Sequence, residues 1–87
     1  MKPYRIKHKA SGLYYQPTIN GNNLSKAGKV YLTKNNVLNE TGAFVFISLN
    51  EQGRLYKKYA KFFPTLKQCH LYPTGRVPKT EFEKEEL

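Results

Sequence analysis

The chain has 87 residues, enough for one domain and too few for two ordinary ones. It carries 15 Lys and Arg against 6 acidic residues, for a net charge of +9, and its 7 Tyr and 5 Phe are too many for a disordered basic tail. A single Cys, Cys69, excludes an intramolecular disulfide framework. The first 17 residues hold no apolar run of signal-peptide length, and the longest apolar stretch, Ala43 to Ile47, is far too short to span a bilayer. The expectation is a cytoplasmic protein with no membrane insertion.

Taken in chain order, Tyr4, Ile6 and His8 alternate with Arg5, Lys7 and Lys9, the period of a half-buried strand. Ala10-Ser11-Gly12 reads as a turn and Leu13 to Gln16 as a returning strand that Pro17 stops, so residues 4–16 are expected to form a hairpin. Asn20 to Asn23 carry loop chemistry, and Leu24 to Ala27 suit one helical turn ended by Gly28. Lys29 to Thr33 read as a second clear strand, broken by Asn35, Asn36 and Asn39. Ala43 to Leu49 form the most hydrophobic segment, expected as a central strand covered on both faces, with Ile6, Phe44, Phe46 and Ile47 buried. Truncating Phe46 to Ala in such a core would cost about 3–5 kcal/mol.

Residues 54–63 fit either a helix, with Leu55, Tyr59 and Phe62 on one stripe, or the second arm of a hairpin closed at Asn50 to Gly53. The short loop favours the hairpin as far as Tyr59. Cys69 to Tyr72 suit a short strand before Pro73-Thr74-Gly75. Thr80 to Glu83 match a capping box for a terminal helix, with a strand through Phe82 as the competing reading. The fold class expected is α+β, mainly an antiparallel sheet of four to five strands with one or two short helices.

Charge divides the chain. Residues 1–79 hold 14 basic and 2 acidic residues, and residues 80–87 hold one Lys and four Glu. The expected organisation is therefore one basic β-rich domain over 1–79, with 80–87 as an acidic tail that can dock on it. Catalytic signatures are missing. His70 follows Cys69 directly, so the two point to opposite faces of a strand, and paired carboxylates suited to acid–base work are scarce. Three Cys and His residues in all fall short of a structural zinc site. Gly21 to Lys29 lacks the spacing of a phosphate-binding P-loop, although Ser25, Lys26, Gly28 and Lys29 suit a looser phosphate contact through charge and backbone N–H groups. Gly42 to Ile47 shares aromatic residues with the central strand of an RNA-recognition motif, but Glu40 and Thr41 occupy the positions of its basic residue and glycine, so the segment reads as core. Neither a cofactor nor an enzymatic activity is expected.

What remains is a series of basic residues interleaved with tyrosines: Arg5, Lys7, Lys9, Tyr15, Lys26, Lys29, Tyr31, Arg54, Tyr56 and Lys57. Grooves that bind single-stranded nucleic acid combine positive charge with aromatic stacking platforms, and small sheets suit that geometry. The expected function is a non-enzymatic nucleic-acid-binding module acting on DNA or RNA through this face. The segments YRIKHKASGLYYQP and LSKAGKVYLTKNNVL resemble small accessory proteins of bacteriophages and mobile elements. That resemblance implies no particular activity, and it adds the alternative of a modulator that binds an acidic surface of a host protein.

Overall fold

A computed structural model describes residues 2–69 and 71–87. His70 lies outside the described residues. The expected opening hairpin forms from β1 (Tyr4–His8) and β2 (Tyr14–Ile19), antiparallel with Lys7 opposite Tyr14. Tyr4, Ile6 and His8 are buried as their alternation requires. Pro17 does not end β2, because the pairing of β2 with its next neighbour is irregular between Tyr15 and Ile19, where a missing N–H is tolerated.

Asn20 and Gly21 then make a two-residue turn, with φ of +51° and +83°. Positive φ at both central positions is the requirement of a type I′ hairpin. The chain returns as β3 (Asn22–Ser25), so the helical turn expected at Leu24 to Ala27 is replaced by strand up to Ser25. Leu24 is fully buried there, which outweighs local preference. The strand expected at Lys29 to Thr33 reduces to one bridge between Tyr31 and Tyr4. Only Tyr31 points inward, and Val30 and Leu32 remain exposed.

The first sheet has the order β3-β2-β1-β7, where β7 is Phe82–Glu86. The strand reading of the C-terminus therefore prevails over the terminal helix, and a single 3-10 turn, Lys79–Glu81, precedes it. Residues 82–86 pair along the whole of β1, from Tyr4 opposite Glu86 to His8 opposite Phe82. The acidic segment is part of the sheet, and Phe82 belongs to the core.

A second sheet has the order β4-β6-β5, built from β4 (Phe44–Ser48), β6 (Tyr72–Pro78) and β5 (Lys67–Cys69). Two prolines sit in its central strand, which the sequence pattern resisted. The register explains their tolerance: β5 pairs with residues 72–74 and β4 with residues 74–78, so Pro73 and Pro78 each have a partner strand on one side only. Residues 54–63 take the helical alternative, with α1 (Arg54–Tyr59) running into a 3-10 turn at Ala60–Phe62. The helix packs Leu55, Tyr56, Tyr59 and Phe62 against the core, whereas a strand would have turned half of them to solvent. The α+β, mainly antiparallel class stands, with the seven strands of the described residues divided between two sheets.

The sheets are joined through polar side chains as well as through the shared core. Asn23 is 7% exposed on β3, and its amide donates to the Phe46 carbonyl at 2.8 Å and accepts from the Ser48 N–H at 2.9 Å. Asn22 accepts from the Asn50 N–H at 2.8 Å. The Phe46 carbonyl and the Ser48 N–H are outward-facing backbone groups of β4, an edge strand, so the Asn23 side chain stands where a further strand would pair, and Asn22 continues the join just past the end of β4. Replacing Asn23 with Leu leaves a backbone acceptor and donor without partners. The expected loss is about 2–3 kcal/mol, read from the urea midpoint at unchanged m-value.

Candidate nucleic-acid interface

The residues nominated from the sequence do not share one face. Arg5, Lys7 and Lys9 lie together on the outer side of β1, but β7 lays its carboxylates beside them. Arg5 and Lys7 each lie 3.5 Å from a Glu85 oxygen, and Lys7 is paired opposite Glu83. The Tyr14 hydroxyl donates to Glu85 at 2.6 Å, and the Arg5 guanidinium sits 4.0 Å above the Tyr14 ring while donating to the Ala27 carbonyl. Lys9 donates to the Thr80 carbonyl at 3.0 Å. Cross-strand pairs of opposite charge are what an antiparallel pair favours. This face is thus a neutralised ladder and offers a polyanion little uncompensated charge.

Tyr15, Lys29 and Tyr31 do converge. They line an open pocket of about 390 Å³ together with Asn35, Asn39 and Glu40. Lys29 reaches over the Tyr31 ring at 4.9 Å, and its backbone N–H donates to the Tyr15 carbonyl. Lys26 is exposed on the neighbouring bend, where the Gly28 N–H donates to the Ser25 hydroxyl. The third group stands on α1: Arg54 and Lys57 are exposed, while Tyr56 is half-buried and packs against the core.

A fourth surface escaped the sequence reading. Val45 and Ile47 of β4 are buried, but Phe44 is 45% and Phe46 68% exposed. The segment expected to be covered on both faces is covered on one, so truncating Phe46 is now expected to leave stability nearly unchanged. Phe46 pairs opposite Arg76, and Ser48 and Lys67 flank Thr74 across the sheet. The Arg76 guanidinium lies 5.1 Å from the Phe44 ring. Phe44, Phe46, Lys67, Thr74 and Arg76 line a shallow groove of about 520 Å³, edged by Pro64 and Thr65, and none of the lining residues is acidic. The signal available in the sequence was the interval of one residue between Phe44 and Phe46, which puts both on the same side of a strand.

His8 was also undervalued. Its ring is fully buried between Phe63 and Phe82, with centroids 4.6 and 5.1 Å away. Its Nδ1 accepts from the Ser11 N–H and lies 2.8 Å from the Ser11 hydroxyl, which leaves Nε2 to donate to Glu81 at 3.0 Å. The order serine–imidazole–carboxylate has the form of a hydrolytic triad. Here the Ser11 oxygen also accepts the Leu13 N–H, inside the β1–β2 turn. The cluster braces that turn against the start of β7, and the two pockets above are lined by other residues.

The hydrogen bond from Tyr14 is the first cause holding the Glu85 carboxyl below its usual range, with the charges of Lys7 and Arg5 contributing. The same bond is the first cause raising the Tyr14 phenol. A carboxyl lowered in the folded state stabilises fully above the ordinary carboxylate range, and that contribution disappears as pH falls through the lowered value. Tyr14→Phe should therefore raise the Glu85 pKa in an NMR titration and flatten the acid limb of the stability profile. Comparison with known proteins adds no name to these surfaces: no protein family, curated protein or solved structure matches the chain.

Proposed function

We propose that the protein is a non-enzymatic module that binds single-stranded nucleic acid on the outer face of the β4-β6-β5 sheet. The observation that carries this reading is the pair of exposed phenylalanines on one strand, bordered by Arg76 and Lys67 in a groove without a carboxylate. Alternate residues on a strand stand about 7 Å apart, a separation that two bases of an extended strand can match. Stacking on an aromatic ring contributes about 1–3 kcal/mol per base and is indifferent to sequence. A duplex keeps its bases stacked on one another and has none to offer. Neither β4 edge pairing nor the β1 face competes for this role, since Asn23 occupies the first and Glu85 and Glu83 the second.

The test is fluorescence anisotropy with a labelled single-stranded oligonucleotide of mixed sequence. Replacing both Phe44 and Phe46 with Ala should weaken binding at least about 30-fold, the removal of two stacks at the lower bound. The variant should keep the wild-type urea midpoint, because neither ring is buried. Lys67→Gln with Arg76→Gln should reduce the salt slope by about 1.4, near 0.7 for each phosphate that is no longer neutralised. Affinity unchanged in the double Phe variant would defeat the assignment, as would equal affinity for a duplex.

A further inference from the structure

The pocket beside Tyr31 brings the polar side chains of Asn35, Asn39 and Glu40 together with the Tyr15 and Tyr31 hydroxyls. We propose that it receives a single base of the bound strand and prefers bases that carry an exocyclic amine, that is cytosine, adenine or guanine over uracil or thymine. This inference rests on the nucleic-acid reading and assigns selectivity to a module whose stacking face has none.

The pocket is held rigidly. The Tyr31 ring is stacked on the fully buried Tyr4 ring with centroids 5.4 Å apart, and the two residues exchange backbone hydrogen bonds. The Tyr4 hydroxyl donates to the Thr33 carbonyl and accepts from the Asn36 amide, whose oxygen in turn caps the 3-10 turn Val37–Asn39 at the Leu38 N–H. Lys79 donates to the Glu40 carbonyl and fixes the far wall. Asn36 is thus fully spent on structure. The side chains of Asn35, Asn39 and Glu40, and the Tyr15 and Tyr31 hydroxyls, have no hydrogen-bond or ion-pair partner among the described residues.

Their chemistry selects the ligand. Burial first, then the nearby Glu40 carboxylate, pushes the Tyr15 phenol up. Burial first also raises the Tyr31 phenol, and Glu40 again adds to the effect. Both phenols are therefore neutral at physiological pH, and their hydroxyls can each donate or accept at the pocket wall; Tyr31 itself is 8% exposed, its ring stacked on Tyr4 and covered by the Lys29 ammonium. An ionised carboxylate only accepts hydrogen bonds. Glu40 can accept a hydrogen bond from the exocyclic amine of cytosine, adenine or guanine and opposes the carbonyl that uracil or thymine presents in the same place. The amides of Asn35 and Asn39 can both donate and accept along a base edge. Lys29, whose ammonium lies over the Tyr31 ring, supplies charge for the attached phosphate. A volume of about 390 Å³ lies within the range of small-molecule sites.

The experiment is a ¹⁵N-edited NMR titration of the intact protein with CMP, AMP and UMP. CMP or AMP should shift the backbone amides of Tyr31, Asn35 and Asn39, with affinity about tenfold above UMP. Glu40→Gln offers an amide that can also donate to a carbonyl, so it should bring UMP to within about twofold of CMP. Lys29→Gln should weaken all monophosphates equally and leave the free nucleosides unaffected. UMP binding as tightly as CMP, shifts confined to other residues, or no shifts at all would overturn the inference. The variant with Ala at positions 44 and 46 separates the two proposals. It should still bind CMP in the pocket. If that variant loses oligonucleotide binding while the wild-type pocket ignores every nucleotide, the stacking face stands and the pocket is removed. CMP binding in a protein that ignores oligonucleotides would keep the base preference and remove the stacking face.

Discussion

The arrangement depends on one side-chain amide. The chain makes two small open sheets, and each has edges that need partners. Asn23 satisfies the edge of β4 by imitating a strand, donating to one backbone carbonyl and accepting from the next outward N–H. The match is geometric: the carbonyl of Phe46 and the N–H of Ser48 point the same way, while those of Val45 and Ile47 point to β6. With β4 held in that register, Val45 and Ile47 must face the core and Phe44 and Phe46 must face out. The same interaction therefore closes an edge, joins the sheets and presents the aromatic pair.

The second constraint is where the fold places its few carboxylates. Four of the six glutamates lie within residues 80–87, and β7 sets Glu83 and Glu85 against the cations of β1. The Glu81–His8 bond secures the point where β7 begins, and Phe82 inserts beside it. Most of the compensation for positive charge is thereby consumed on the first sheet. The outer face of the second sheet keeps Lys67 and Arg76 with no acidic neighbour in its groove. Net charge is a property of the whole chain, and it is this uneven allocation that tells one basic surface from another.

Between β3 and β4 in the chain lies a segment with little regular structure, residues 26–43, attached by the Tyr4–Tyr31 bridge and the Asn36 cap. Loops positioned by a rigid scaffold are where specificity commonly resides, because their side chains are not needed to pair strands or fill a core. Asn35 and Asn39, in this segment, line the pocket beside Tyr31.

Elements whose information is local could be read from the chain alone. The β1–β2 hairpin was legible because alternation and turn residues lie within 13 consecutive positions, and the all-round basic character was legible by counting. Of the nominated residues, Tyr15, Lys29 and Tyr31 do share a pocket, whereas Arg5 and Lys7 are neutralised by a strand that begins more than 70 residues away. No local pattern contains that pairing. The helix at 54–59 and the strand at 82–86 were each readable as one of two options, and burial of Phe62 and Phe82 settled the choice. Hydrophobic periodicity says which residues share a face but not whether a second layer covers it. That is why Phe44 and Phe46 read as core and are surface. Coverage, charge pairing and the satisfaction of strand edges join segments far apart in the chain, so they are fixed only once folding brings β3 to β4 and β7 to β1.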